Sequence, residues 1–506
     1  MATTTTTSDL HALRPVDLYQ PLHNSIPEEL LPRFDPVYVE YYNKYNAGRL
    51  HTHEVPIEEY RKNPAKYTIS YGRAAGPDVY RITEQKCPVD GDEITVRIFE
   101  PKPPEDGNKK RAAYINFHGG GWVFGDLSKD HDFCKRIVHA LDGDLVAFDV
   151  DYRLAPEHKF PIPVDDCWAA FNWVRTQKAE EFNLDPNRLA VGGISAGGHL
   201  AAVVGQLCRN ANIPLAFQLL TVPVCDLHSV FTPEGEFDRD NCPYGSYREM
   251  EFAPALPMAR MAFFHRHFLE CPRPPKSEDD WKISPNLSTN FSNLAPALVF
   301  TAELDPLRDE GETYAAKMKA AGSPVELIRV PGVPHTFAHL DAILDAGKMY
   351  NEKVIEALKK YLRTVKEELS SACFAEPRKY RKVKREQGSP TQPMEKGCSA
   401  TGISLFRVPP HTDPPKRPSK ECFPMGHVIG KPHGLGEFPV FRLETRTLPV
   451  DDAAKTSAFD EQVAIVQIRM RKVRPVILTK ALELVAKELC SGAIMMAPQQ
   501  IVKVGF

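Results

Sequence analysis

The stretch "RLAVGGISAGGHLAA", Arg188–Ala202, sets an apolar run of strand character directly against a run of helical character, with Gly193-Ile194-Ser195-Ala196-Gly197 at the join. The G-x-S-x-G spacing is common by itself, and its weight comes from where it sits. At a tight strand-to-helix turn a serine is held with its hydroxyl exposed at the edge of the sheet, and the flanking glycines relieve the crowding. The helix that begins directly afterwards also favours developing negative charge. A free serine hydroxyl is a poor nucleophile at neutral pH and needs a base, itself oriented by a carboxylate. The turn therefore predicts an acid and then a histidine downstream, each near the C-terminal end of a later strand.

Both are present in that order. "PALVFTAELDPLRDEG" places Asp305 just after an apolar strand, and "VELIRVPGVPHTFAHL" places His335 in the loop after the next. Glu303, Asp309 and Glu310 are rival acids, although Asp309 and Glu310 suit the start of the following helix, where carboxylates complement the dipole. Upstream, "AYINFHGGGWVFG", Ala113–Gly125, ends an apolar strand in three consecutive glycines. Such a run costs stability unless the backbone must turn sharply or approach something closely. Attack by Ser195 on an ester carbonyl leaves an oxyanion that needs fixed N–H donors, and a glycine-rich loop beside the turn can supply them.

At 506 residues the chain admits two or three domains by length. A formal net charge of -3 gives no electrostatic case for nucleic acid or an anionic membrane, so a small-molecule partner fits better. The eleven cysteines form no C-x-x-C pair and no zinc-like spacing, and read as reduced thiols of a cytoplasmic protein. The N-terminal "MATTTTTSDLHALRP" lacks a basic n-region followed by an apolar run and is not expected to act as a signal peptide, and no apolar stretch is long enough to span a bilayer. The sequons at Asn286 and Asn290 are accordingly expected to be unused.

Residues 1–70 mix helix-like pieces with prolines and aromatics and are expected to form a helical arm. From about Asp92, short apolar runs alternate with amphipathic ones through "ITVRIFE", "AAYINFH", "DLVAFDVDY", "RLAVGGI", "FQLLTVPV", "PALVFTAE" and "VELIRVPG". This alternation indicates a parallel sheet covered by helices on both faces. A strandless insertion at about 226–284, rich in Pro, Met and Phe, is expected to cap a pocket at the C-terminal edge of the strands. The catalytic domain is thus expected over 71–369, closing with a helix near 348–369. Residues 370–506 are expected to be largely disordered or weakly structured, with a solvated basic run at 378–385, one strand in "VAIVQIRM" and one helix in "VILTKALELVAKELC".

"HGGGW", "YRLAPEHKFP", "GISAGG", "DPLRDEG" and "PHTF", in this order, resemble the hormone-sensitive-lipase-like branch of the α/β-hydrolase superfamily, which includes carboxylesterases and arylacetamide deacetylases. The resemblance covers about residues 30–366, and nothing in the family matches 388–506. It implies an eight-stranded, mostly parallel sheet with a cap built from the N-terminal arm and the insertion. It further implies Ser195, Asp305 and His335 as nucleophile, acid and base, with no metal or other cofactor. The N–H groups of Gly120, Gly121 and Ala196 would form the oxyanion hole, with His118 and Gly119 shaping the loop. Two departures, Ile194 in place of Asp or Thr and Thr336 in place of a small residue, are expected to alter the acyl pocket. The implied activity is hydrolysis of a small to medium carboxylic ester, as in deacetylation within specialised metabolism. The triad alone leaves amidase, lactonase and acyltransferase chemistry open, and a catalytically silent binder on the same fold is the alternative of a different class.

Overall fold

The computed structural model describes residues 24–68, 71–103, 109–275 and 277–363, together with 444–446 and 465–467. The chain divides into two units, Met1–Tyr380 and Arg381–Phe506. In the second, Glu444–Arg446 pairs antiparallel with Ile465–Gln467, which lies inside "VAIVQIRM". The basic run at 378–385 and the helix expected in "VILTKALELVAKELC" lie outside the described residues.

The described part of the first unit begins with the α-helices α1 (Pro36–Tyr45), α2 (Ile57–Lys62) and α3 (Pro64–Tyr67). Asp35 starts α1 by accepting the Val37 N–H at 2.8 Å, and Pro36 supplies a first position that has no N–H to satisfy. The sheet follows as β1 (Arg81–Val89), β2 (Asp92–Glu100), β3 (Arg111–Phe117), β4 (Leu145–Asp151), β5 (Leu184–Ile194), β6 (Phe217–Thr221), β7 (Ala297–Leu304) and β8 (Val325–Pro334). Its eight strands run in the order β1-β2-β4-β3-β5-β6-β7-β8. The first two ladders, β1 with β2 and β2 with β4, are antiparallel, and the rest are parallel.

Among the described residues seven further α-helices belong to this unit: α4 (His131–Ala140), α5 (Ile162–Thr176), α6 (Ala196–Asn210), α7 (Gly245–Glu249), α8 (Met258–Phe268), α9 (Arg308–Ala320) and α10 (Asp345–Tyr361). They cover both faces. Every residue of β3 is buried, and its side chains divide by the strand's period of two between two cores. Ala113, Ile115 and Phe117 pack with Phe171 of α5, Leu200 of α6 and Met318 of α9, whereas Ala112 and Tyr114 pack with Ile137 of α4 and Tyr350 and Leu358 of α10. Each fully buried aromatic or aliphatic side chain contributes about 1.5–3 kcal/mol. Between β6 and β7 lies the Pro- and Met-rich segment that holds α7 and α8.

The apolar runs named from the sequence fall on β2 to β8. They omit β1, an edge strand in which only Cys87 is fully buried and whose middle, Thr83-Glu84-Gln85-Lys86, is polar and charged. Its anchor is an ion pair, Arg81 Nε to Glu100 Oε1 at 2.6 Å across the β1–β2 ladder.

The junction of β3, β5 and α6 is packed backbone on backbone. A Cβ on Gly193 would stand 2.3 Å from the Phe117 carbonyl oxygen, and one on Gly197 only 1.8 Å from it. Gly197→Ala should therefore destabilise the fold by about 3 kcal/mol or more in urea unfolding, since neither strand nor helix can retreat. Gly245→Ala, whose nearest neighbour would be at an ordinary 3.5 Å, should stay within about 1 kcal/mol of wild type.

Candidate active site

Ser195 occupies the turn between β5 and α6 with φ 60° and ψ -118°, a region that L-residues rarely adopt. Backbone hydrogen bonds hold it there: its N–H donates to Thr221 O at 2.9 Å, and its carbonyl accepts the His199 N–H at 3.0 Å and the Val224 N–H at 3.5 Å. Strain of this kind persists only where the surroundings over-determine it. The side chain is thereby aimed at His335, whose Nε2 lies 2.9 Å from Ser195 Oγ. His335 Nδ1 lies 2.7 Å from Asp305 Oδ2, and Asp305 Oδ1 accepts the Leu307 N–H at 3.1 Å. With Nδ1–H donating to the carboxylate, Nε2 is the acceptor for the serine hydroxyl. Asp305 is fully buried and His335 is 7 % exposed.

Adjacent strands bring the two together. Asp305 follows β7 and His335 follows β8, and the parallel register pairs Leu304 with Pro334, one residue before each. Thr336 ends this loop by accepting the His339 N–H at 3.0 Å, which starts the 3-10 turn Phe337–His339.

The rival acids are engaged elsewhere. Glu303 Oε2 accepts the Gly332 N–H at 2.8 Å, and Asp309 pairs with Arg308 and accepts the Ser246 N–H at 2.8 Å. Glu310 is buried, accepting the Cys225 N–H at 2.7 Å and the Tyr247 hydroxyl at 2.9 Å. Burial raises the Glu310 carboxyl well above the usual range.

The glycine loop sits beside the serine. A Cβ on Gly119 would lie 3.7 Å from Ser195 Cβ and 2.8 Å from Ile194 O. Gly120 has φ 131° and a Cβ position 1.9 Å from Phe124 O, whereas Gly121 has φ 62° and a Cβ position 2.3 Å from the Phe264 ring. The loop is thus clamped between its own backbone and α8. His118 donates from Nδ1 to Gly119 O at 2.9 Å and stacks on Tyr152 at 4.3 Å, while the Tyr152 hydroxyl donates to His118 O at 2.8 Å. Behind Tyr152, Arg153 Nε and Nη2 form a two-pronged pair with buried Asp166 at 2.9 and 2.6 Å.

Sequence reasoning left one pair unread. Trp122 of "HGGGW" donates from Nε1 to His199 Nδ1 at 3.2 Å, and His199 Nε2 donates to Lys282 O at 2.9 Å. Trp122 also stacks on Phe268 of α8 at 4.2 Å. The signal available was the spacing of His199 from Ser195: four residues on, it lies on the same inward face of α6. Burial lowers the His199 pKa to about 4, so the ring stays neutral and keeps Nδ1 as an acceptor.

Ile194, expected to shape the acyl pocket, packs instead with Tyr114, Phe300, Phe337 and Tyr350 and lines a small cavity with Asp130 and His339. Asn286 of the first sequon is 2 % exposed and donates to Tyr244 Oη at 3.2 Å and Glu310 O at 3.1 Å, so the folded chain offers no acceptor there. The described cysteines are free thiols. Among the described residues no helix is long and apolar enough to cross a membrane. One group of potential metal ligands, His51, His53 and Glu54, lies in the N-terminal arm with its ligand atoms within 4.8 Å of one another.

A family model described as "alpha/beta hydrolase fold" matches residues 114–339. An AB hydrolase superfamily protein of Schizosaccharomyces pombe is 33% identical over 356 residues, which is 67% of this chain and 96% of the relative. The chain belongs to the α/β-hydrolase family. Its motifs place it in the hormone-sensitive-lipase-like branch of that family, and the carboxylesterase NlhH of Mycobacterium tuberculosis is 35% identical over 288 residues, covering 56% of this chain and 83% of that protein. Among solved structures, an ester hydrolase from the metagenome of Lake Arreo superposes with TM-score 0.54 at 33% identity, covering 63% of this chain and 94% of that one.

His199 generates a pH prediction for this α/β-hydrolase. Its folded pKa of about 4 lies below the value of about 6.5 for a solvated histidine, so below pH 6.5 the unfolded chain takes up a proton that the folded chain refuses. Relative to His199→Gln, the wild type should lose about 1.4 kcal/mol of stability per pH unit between roughly 6.5 and 4. Paired urea titrations at pH 7 and pH 5 measure the difference.

Proposed function

We propose that the protein is a serine carboxylic-ester hydrolase that works through an acyl-enzyme. The observation that carries this reading is the relay from Ser195 Oγ to His335 Nε2 at 2.9 Å and from His335 Nδ1 to Asp305 Oδ2 at 2.7 Å, built on a strained turn at the start of a helix. Ser195 Oγ attacks the ester carbonyl while His335 Nε2 takes its proton, and buried Asp305 stabilises the imidazolium that results. Collapse of the tetrahedral intermediate breaks the ester C–O bond, and His335 returns the proton to the leaving alcohol. Water then attacks the acyl group by the same route and frees Ser195.

The oxyanion is assigned to the N–H groups of Gly120, Gly121 and Ala196. Ala196 is the first residue of α6, whose leading amides have no partner within the helix. His118 and Gly119 set the path of the loop. The segment between β6 and β7 acts with the N-terminal helices as a cap, since Phe264 and Phe268 of α8 close on Gly121 and Trp122. The relatives named as carboxylesterase and ester hydrolase support the reaction class. The reading takes a small to medium ester as substrate, as in deacetylation within specialised metabolism, needs no cofactor or nucleic acid, and locates the protein in the cytoplasm.

Ser195→Ala should abolish hydrolysis of p-nitrophenyl acetate while leaving the melting temperature near wild type. Asp305→Asn should lower kcat by on the order of 10³–10⁴ through loss of the correct His335 tautomer. Turnover retained in Ser195→Ala would contradict the assignment, and tight ligand binding without any turnover in the wild type would favour the silent binder.

A further inference from the structure

The first turn of α8 places a guanidinium beside the site without a counter-charge. Arg260 Nη1 donates to Ala255 O at 2.8 Å, the guanidinium lies over the Phe264 ring at 5.5 Å, and Nε is buried with no partner. The groups that act on its charge are the phenols of Tyr71, Tyr60 and Tyr42, and among the described residues it enters no ion pair. Burial lowers its pKa. Arg260 is half-buried with its Nε enclosed, and a cation so placed without a counter-charge among the described residues is one that an anion seated against it would stabilise.

Its neighbours fix where it hangs. Phe264, one turn further along α8, covers Gly121 of the glycine loop. Tyr71 meets the His339 ring edge-on at 5.0 Å, and His339 lies four residues beyond His335. Arg260 is thus bracketed by the loop assigned the oxyanion donors on one side and the loop bearing the base on the other. Two further cations gather on the same phenol: the Arg73 guanidinium lies over the Tyr71 ring at 4.8 Å and Lys129 Nζ at 5.3 Å. Arg73 Nε and Nη2 are likewise buried without partners, its Nη1 donating to Ser128 O at 3.2 Å. The nearby carboxylates are already engaged, Asp130 with His339 at 3.1 Å and Asp126 with the Ser128 N–H at 2.7 Å.

We propose that Arg260 binds a carboxylate carried by the substrate, so that the enzyme acts on esters that bear a free acid group. The proposal rests on the ester-hydrolase reading and names the substrate class for that site. The planar fork of a guanidinium matches a carboxylate through two parallel N–H donors, which a carboxamide of the same shape cannot reproduce.

The test compares monoethyl esters of succinic, glutaric and adipic acid with the matching ethyl ester amides, at one ionic strength, in wild type, Arg260→Gln and Arg260→Lys. For at least one chain length the wild-type ratio of kcat/KM, acid over amide, should exceed about ten, in line with charge-assisted hydrogen bonding. Arg260→Gln should lower that ratio by about ten- to a hundredfold, with Arg260→Lys between the two. A wild-type ratio at or below one for all three lengths, or a ratio unchanged in Arg260→Gln, overturns the proposal. The wild-type ratio needs no variant, and Arg260→Lys carries the comparison should Arg260→Gln fail to fold. Hydrolysis of p-nitrophenyl acetate by the wild type is measured alongside. With that turnover present, a flat ratio overturns the carboxylate proposal alone, whereas its absence overturns the ester-hydrolase reading and this proposal with it.

Discussion

The carbonyl oxygen of Phe117, at the end of β3, has room for hydrogen atoms and nothing larger at Gly193 and Gly197. That contact draws the β5–α6 turn against the neighbouring strand and leaves Ser195 no relaxed conformation, so its backbone is held at φ 60° with the hydroxyl presented outward. Everything else in the site is measured from this fixed point. β7 and β8 deliver Asp305 and His335 from adjacent strand ends, and the glycine loop, continuing from Phe117 itself, arrives beside the serine by chain connectivity.

A second layer holds that loop still. Trp122, His199 and the Lys282 carbonyl form a buried hydrogen-bonded line from the loop through α6 to the segment before β7, and stacking on Phe268 adds the contact to α8. His118 and Tyr152 close the other side. Donors that stabilise developing charge act best when they need no reorganisation, and this arrangement leaves the loop little freedom to reorganise. The same helix that contacts the loop through Phe264 and Phe268 carries Arg260.

Much of this was legible in the residues alone because the informative features are local. Apolar runs marked β2 to β8, and the order of Ser195, Asp305 and His335 at strand ends singled out side chains that the fold brings within hydrogen-bonding distance. What escaped was either non-periodic or tertiary. β1 is an edge with a polar and charged middle and mostly exposed side chains, and so lacks the apolar signature of its neighbours. Asp305 was singled out by its place after an apolar strand, and what the sequence did not display is where its rivals are engaged, Glu303 with the Gly332 N–H, Asp309 with Arg308, and Glu310 with the Cys225 N–H. The packing of Ile194, the acceptor role of His199 and the want of an ion-pair partner for Arg260 among the described residues depend on segments far apart in the chain.

The central claim is that Ser195 forms a covalent acyl-type intermediate, and the most direct measurement is mass spectrometry of the protein after treatment with diethyl p-nitrophenyl phosphate. The account predicts one diethylphosphoryl group per chain, mapped to the peptide containing Ser195 and absent from Ser195→Ala. A protein left unmodified while active, or modified with equal stoichiometry in Ser195→Ala, would contradict it.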